Sequence, residues 1–208
     1  MFEFSADYWI KLLLFTLPAV LIVLTLHEVG HAYSAYKLGD PTAKRMGRLS
    51  LNPLRHIDPV GMITLILFRF GWGKPVPVDF FALRNLRSGM VIVSLAGPVM
   101  NFITALILSP IYKWAVNSPI MLTSFSYIVI LLQYIIVYSI FLGMFNLIPI
   151  PPLDGSKVLF AFTKRPQRYL LDESINLYGM FLLIILIFLR VPFNLLNKII
   201  LPVINLLL

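Results

Sequence analysis

Hydrophobic positions along this chain come in long blocks separated by short polar stretches. A helix needs about 20 apolar residues to cross a bilayer core. The first block predicts a helix from about Tyr8 to Tyr36, with "LLLFTLPAVLIVLTL" apolar throughout. Pro18 inside it predicts a kink, and the "GD" and "DP" of residues 39–41 stop it. Three further blocks predict helices at about Gly89–Tyr112, Tyr127–Ile148 and Ile175–Val191. "PIPP" ends the third. The tail, Phe193–Leu208, is apolar but broken by Lys198 and Pro202, so it reads as a fifth span or an interfacial helix.

Residues 39–87 follow another rule. They are rich in Gly, Pro, Lys and Arg. Their one apolar stretch, Val60–Phe68, is too short to span and predicts a re-entrant or interfacial segment. "TAKRMGRLSLNP" and "GKPVPVDF" predict short extended stretches. The fold class expected is an all-α multi-pass membrane protein. It has about 4–5 transmembrane helices and a re-entrant, short-strand loop after the first.

Composition agrees with the pattern. Of 208 residues, 59% are hydrophobic and 12% charged, against about 25% charged in a soluble domain. No polar stretch is long enough for an inserted soluble domain. One unit over residues 1–208 is expected, with a core at about 8–172 and C-terminal helices at 173–208. Glu3 and Asp7 stand where a signal peptide would carry basic residues. The absence of cysteine excludes disulfides, iron–sulfur centres and thiol nucleophiles.

The net charge of +8 does not imply a nucleic-acid partner, because no basic, aromatic-rich soluble module is present. Of the 17 Lys and Arg, 13 fall in residues 37–87 and 149–174. Basic loops stay in the cytoplasm. The expected protein therefore lies in the cell membrane with its N-terminus outside, and the ends of helices one and three emerge on the cytoplasmic side.

One of those ends carries unusual chemistry. "HEVGH" places His27 and His31 four residues apart, on one helix face. Two such imidazoles can hold one zinc ion, and Glu28 can reach a water at the metal without being a ligand. Ionisable residues at such depth are costly and mark function. A catalytic zinc takes three protein ligands. His56, with Asp58 beside it, is one candidate for the third, although a basic loop more often solvates such residues. Asp154 in "PIPPLDGSK" is the better one, because it follows helix three on the same side as the histidines. Taken alone, "LDG" would be an ordinary Asp-Gly turn.

"HEVGH" in a membrane helix, followed by "NLIPIPPLDG" (Asn146–Gly155), resembles the site-2 protease family of intramembrane zinc metalloproteases. "GWGKPVPVD" (Gly71–Asp79) and "GPVMN" (Gly97–Asn101) also resemble family elements, and the four come in the family's order. The resemblance covers about residues 20–160 and suggests a small form without a PDZ or CBS domain. It implies one Zn²⁺ held by His27, His31 and Asp154, with Glu28 as catalytic base. It also implies substrate or transition-state contacts for Asn101 and Asn146. On their own, those amides could equally tie helices together. The partners implied are the lipid bilayer and a membrane-spanning protein or peptide, cut within or near its transmembrane segment in regulated intramembrane proteolysis.

Two other readings remain. One is a membrane-anchored zinc protease for soluble peptides. The other is a non-catalytic zinc-binding membrane protein or transporter, for which repeated halves with broken helices would be expected. Residues 74–80 are expected to offer a strand edge to an extended substrate.

Overall fold

A computed structural model describes residues 5–68, 71–189 and 191–208. Glu3 and Arg69, counted in the charge pattern, lie outside them. The described chain is helical, 77% of it, with no strand.

The first apolar block is one rod in three parts: α1 (Ala6–Lys11), a π turn (Leu12–Thr16) and α2 (Leu17–Lys37). Pro18 has no N–H for the carbonyl four residues back, and its ring crowds that turn. The π turn stands just before the proline, where the regular α-helical hydrogen-bond pattern gives way. After α2 come the single turn α3 (Thr42–Arg45) and α4 (Pro59–Phe68). Asp58 caps α4, its Oδ1 accepting the Gly61 N–H at 2.8 Å. Ten residues of helix rise about 15 Å, half a bilayer core, as the short apolar run Val60–Phe68 requires.

α5 (Leu86–Val116) is the longest helix, and α6 (Pro119–Ser124) leads into α7 (Ser126–Asn146). The chain then turns through Pro149–Pro152 and re-enters a helix at α8 (Asp154–Ala161). α9 (Pro166–Leu171), α10 (Glu173–Phe188) and α11 (Val191–Leu207) complete it. Among the described residues, three helices are long and apolar enough to cross a membrane: Trp9–Lys37, Leu86–Val116 and Ser126–Asn146. The fourth and fifth blocks form apolar helices too short to be counted with them, so the expected 4–5 spans are three plus these shorter elements.

α2, α5 and α7 pack together as the centre of the molecule. Ala19 and Val23 of α2 lie against Ile135 of α7. Ile136 and Ile140 of α7 join Ala105 of α5 in the largest buried cluster. α2 and α5 approach closely at Gly30, where a Cβ would come 2.7 Å from the Ala96 carbonyl oxygen. Small residues at such crossings let helix backbones touch without a hydrophobic driving force. The outside is apolar as well: Leu106 is 65% exposed, Trp114 63% and Phe188 84%. Apolar surface on this scale suits lipid, not water.

The expected short strands are not formed among the described residues. What exists is a single antiparallel bridge between Ile57 and Gly73. The segment after Gly73 has no regular structure, and Pro75 and Pro77 have no N–H to donate to a ladder. The Arg48 guanidinium takes the carbonyls of Lys74 (2.6 Å) and Pro75 (3.2 Å).

Candidate metal centre

His27 and His31 stand on the inner face of α2, both buried. Their positions follow from helix geometry alone, since residues four apart share a face. Asp154 arrives from elsewhere. The prolines after α7 turn the chain so that Asp154 is the first residue of α8, buried with its carboxylate against both imidazoles. His27 Nε2 and His31 Nε2 are 3.0 Å apart. Asp154 Oδ2 lies 3.2 Å from the first and 3.1 Å from the second.

These three atoms test whether zinc fits. A tetrahedral ion with bonds of about 2.0–2.1 Å sets its ligand atoms about 3.3–3.4 Å apart. The triangle found is within a few tenths of an ångström of one face of that tetrahedron. Among the described residues it is the one group of three or more His, Cys, Asp or Glu arranged to hold a metal. Gly97 of α5 supplies a second observation. A Cβ there would press on His31 Nε2 and lie 2.6 Å from His27 Nε2. The missing side chain leaves a space in front of the ligand atoms.

Each ring nitrogen turned away from the triangle has a partner on α5. His31 Nδ1 is 2.7 Å from the Val93 carbonyl oxygen, and His27 Nδ1 is 3.0 Å from the Asn101 amide. Val93, Gly97 and Asn101 succeed one another at four-residue intervals. One face of α5 thus orients the first imidazole, leaves a gap, and meets the second.

Asp154 has a further partner. Its Oδ1 accepts from Lys157 Nζ at 2.9 Å, one turn along α8, so Oδ2 alone faces the histidines. The Lys157 ammonium thus offsets the charge of the buried Asp154 carboxylate.

Glu28 is buried on the next position of α2, and its Oε2 accepts the Val76 N–H at 2.7 Å. Lys74 N–H donates to the His56 carbonyl at 2.9 Å. Along residues 74–77 the Lys74 and Val76 N–H groups and the Lys74 and Pro75 carbonyls are therefore taken by His56, Glu28 and Arg48, and Pro75 and Pro77 have no N–H to offer. The sequence carries no signal for the Val76 N–H, the Val93 carbonyl or the gap at Gly97. Lys157 counts there only as one basic residue.

The metal triangle opens on a cavity of about 630 Å³. Its walls are otherwise mainly apolar, with Leu24, Leu65, Trp72, Phe141 and Ile184 among the lining residues. Asn146 lines it too, half-buried at the end of α7, its Nδ2 donating to Leu142 O at 3.0 Å. Asn101 does not; it is fully buried behind His27. His56 is buried apart from the triangle, paired with the Ser50 carbonyl at 2.8 Å. Asp58 lines the cavity and caps α4.

Two nitrogens and one oxygen that leave a further coordination position open are what a hydrolytic zinc needs. Placed inside a bundle of membrane-crossing helices, they define the class as a membrane zinc metalloprotease. Comparison with known proteins narrows the class. The profile of peptidase family M50 matches residues 113–189. The chain is 39% identical over 159 residues to "Putative zinc metalloprotease YwhC" of Bacillus subtilis, spanning 73% of this chain and 70% of that protein. It is 33% identical over 141 residues to "Putative zinc metalloprotease Rip2" of Mycolicibacterium smegmatis, spanning 65% of this chain and 52% of that protein. "Zinc metalloprotease MJ0392" of Methanocaldococcus jannaschii is 27% identical over 180 residues, 84% of this chain and 42% of its own length. The chain belongs to peptidase family M50, the site-2 protease family. No solved structure gives a significant match.

Proposed function

We propose that this zinc metalloprotease acts as one intramembrane unit and cuts peptide bonds within or near transmembrane segments of other membrane proteins. The observation that supports this most is depth. His27 stands ten residues before the end of α2 at Lys37, about 15 Å along the axis. The metal triangle then lies within the hydrocarbon layer, at one end of an apolar cavity. On the charge pattern of the loops, the N-terminus faces outward and the cleft opens toward the cytoplasm.

In this reading His27, His31 and Asp154 hold one zinc, which supplies Lewis-acid polarisation of a carbonyl and lowers the pKa of a water. Glu28 takes the proton of the attacking water and delivers it to the leaving amine. The Val76 N–H holds Oε2 of Glu28 and leaves its second oxygen for that proton. Lys157 occupies Oδ1 of Asp154, so the aspartate offers one oxygen to the site. Asn146 is the amide that faces a substrate in the cavity. The apolar walls receive the hydrophobic side chains of a membrane segment and exclude bulk water from the scissile bond.

The test compares wild type with Glu28→Gln on a single-span membrane substrate and on a soluble peptide of the same cleaved sequence. The expected result is that the variant keeps zinc, loses cleavage, and that the wild type prefers the membrane substrate. Cleavage retained in Glu28→Gln rules out the role of Glu28. Equal cleavage of the soluble peptide favours a membrane-anchored protease for soluble peptides.

A further inference from the structure

Asn101 is completely buried, and its amide meets the ring nitrogen of His27 that faces away from the metal triangle. As placed, Nδ2 is the atom 3.0 Å from Nδ1, while the equally buried Oδ1 has no partner. An amide N–H pointing at Nδ1 requires a lone pair there. The single proton of a neutral imidazole would then sit on Nε2, the atom that faces His31 and Asp154. A protonated Nε2 cannot ligate. Amide oxygen and nitrogen are interchangeable in shape, and their assignment follows from the hydrogen-bond network.

His31 shows which assignment the site uses. Its Nδ1 meets a backbone carbonyl, Val93 O, which can only accept. His31 therefore carries its proton on Nδ1 and keeps the Nε2 lone pair for the triangle. With Oδ1 of Asn101 turned to His27, the second imidazole takes the same tautomer. The ring nitrogen that needs an acceptor then has one, and Nδ2 takes the unpartnered position that Oδ1 held.

We propose that Asn101 is a positioning residue for the metal: its amide oxygen accepts the Nδ1 proton of His27 and holds the Nε2 lone pair on the site. This rests on the zinc reading above and gives Asn101 a role distinct from contact with substrate. Acceptors behind ligating histidines fix ring orientation and tautomer and raise ligand basicity. Asn101 and Asn146 thereby separate: one serves the metal from behind, and the other faces the cavity.

The experiment measures zinc affinity of the purified, metal-stripped chain by competition with a chelator, together with the absorption spectrum of the Co²⁺-substituted protein. Asn101→Leu removes the acceptor and is expected to weaken zinc about 10–100-fold, the range for such supporting groups, with an altered Co²⁺ spectrum. Asn101→Asp can only accept, and is expected to bind zinc at least as tightly as wild type with a wild-type-like spectrum. Unchanged affinity in Asn101→Leu overturns the proposal. So does loss of zinc in a folded Asn101→Asp, since the amide N–H would then be the group that matters. The aspartate arm decides alone if the leucine variant does not fold. A wild-type chain that binds no zinc would instead sink the metal reading itself.

Discussion

His27, His31 and Asp154 line the same cavity as Leu65, Met180 and Ile184, yet the two walls are made in opposite ways. The metal wall comes from α2, α5 and α8. α5 alone buries ten residues, including Val93, Gly97 and Asn101, and both imidazoles and the Asp154 carboxylate are held from behind by neighbours. The other wall comes from α4 and α10. α4 buries only Gly61, and α10 only Gly179 and Leu183. Its side chains present mainly apolar surface, much of it exposed: Ile63 is 56% exposed and Ile185 55%. Chemistry that depends on tenths of an ångström needs the first kind of wall. A surface that must admit varied hydrophobic segments needs only the second. The contrast predicts that small changes on the metal wall cost far more than larger changes on the apolar one.

The largest effect is expected from the smallest substitution. Gly97→Ala adds one methyl group in front of Nε2 of both histidines. Either the methyl takes the space the ion needs, or α5 shifts and carries Val93 and Asn101 with it. Zinc affinity should fall by at least about a hundredfold, beyond the ~10–100-fold typical of lost supporting groups, and hydrolysis should fall with it. Metal analysis of the purified variant checks this. Normal zinc content would mean that the gap at Gly97 has no bearing on the ion.

Much of the apolar framework was legible in the sequence, because a period of about 20 apolar residues can satisfy its backbone in lipid only as a helix. The histidine pair was legible for a related reason: four-residue spacing becomes a shared face once the helix is granted. Asp154 could be singled out by its place after a broken helix and by the order of the motifs around it. What could not be read were contributions without a side-chain signature. The Val93 carbonyl, the Val76 N–H and the void at Gly97 are backbone or absence, and only tertiary packing gives them a target. The extended loop was expected to offer strand edges. Four of its backbone groups, on Lys74, Pro75 and Val76, are instead taken by Arg48, Glu28 and His56, a set of long-range pairings that no local pattern announces. The short helices α8 and α9 were hidden because proline and charge dominate residues 149–172.

An intermediate effect is expected where the loop touches the metal wall. Val76→Pro deletes the N–H that Glu28 Oε2 accepts. A hydrogen bond to a charged group is worth about 1.5–3 kcal/mol, so kcat should fall about twentyfold, near the low end of that range at ~1.4 kcal/mol per decade. Bound zinc should stay unchanged, because Glu28 is not part of the triangle. Val76→Ala is the control. It keeps the N–H and loses only packing against Ala32 and Ala43, so its kcat should stay near wild type. If alanine and proline lower kcat equally, the loop acts through packing, and the bond to Glu28 is incidental.

The smallest effect is expected on the apolar wall. Ile184 lines the cavity from α10 but remains 40% exposed. Truncating it to alanine removes three carbons from a partly exposed apolar surface. A methylene in a hydrophobic pocket is worth about 1–3 kcal/mol when fully enclosed, and a partly open wall delivers less. Preference between two substrates that differ by one large apolar side chain should therefore shift by no more than about fivefold. Zinc affinity should not move at all. The readout is the ratio of kcat/KM for the two substrates, set beside metal content. A change in metal content would show that α10 supports the ligand set, and the two walls would then be one mechanical unit. A large shift in preference with intact metal would show that α10 closes on the substrate and packs far more tightly than its exposure indicates.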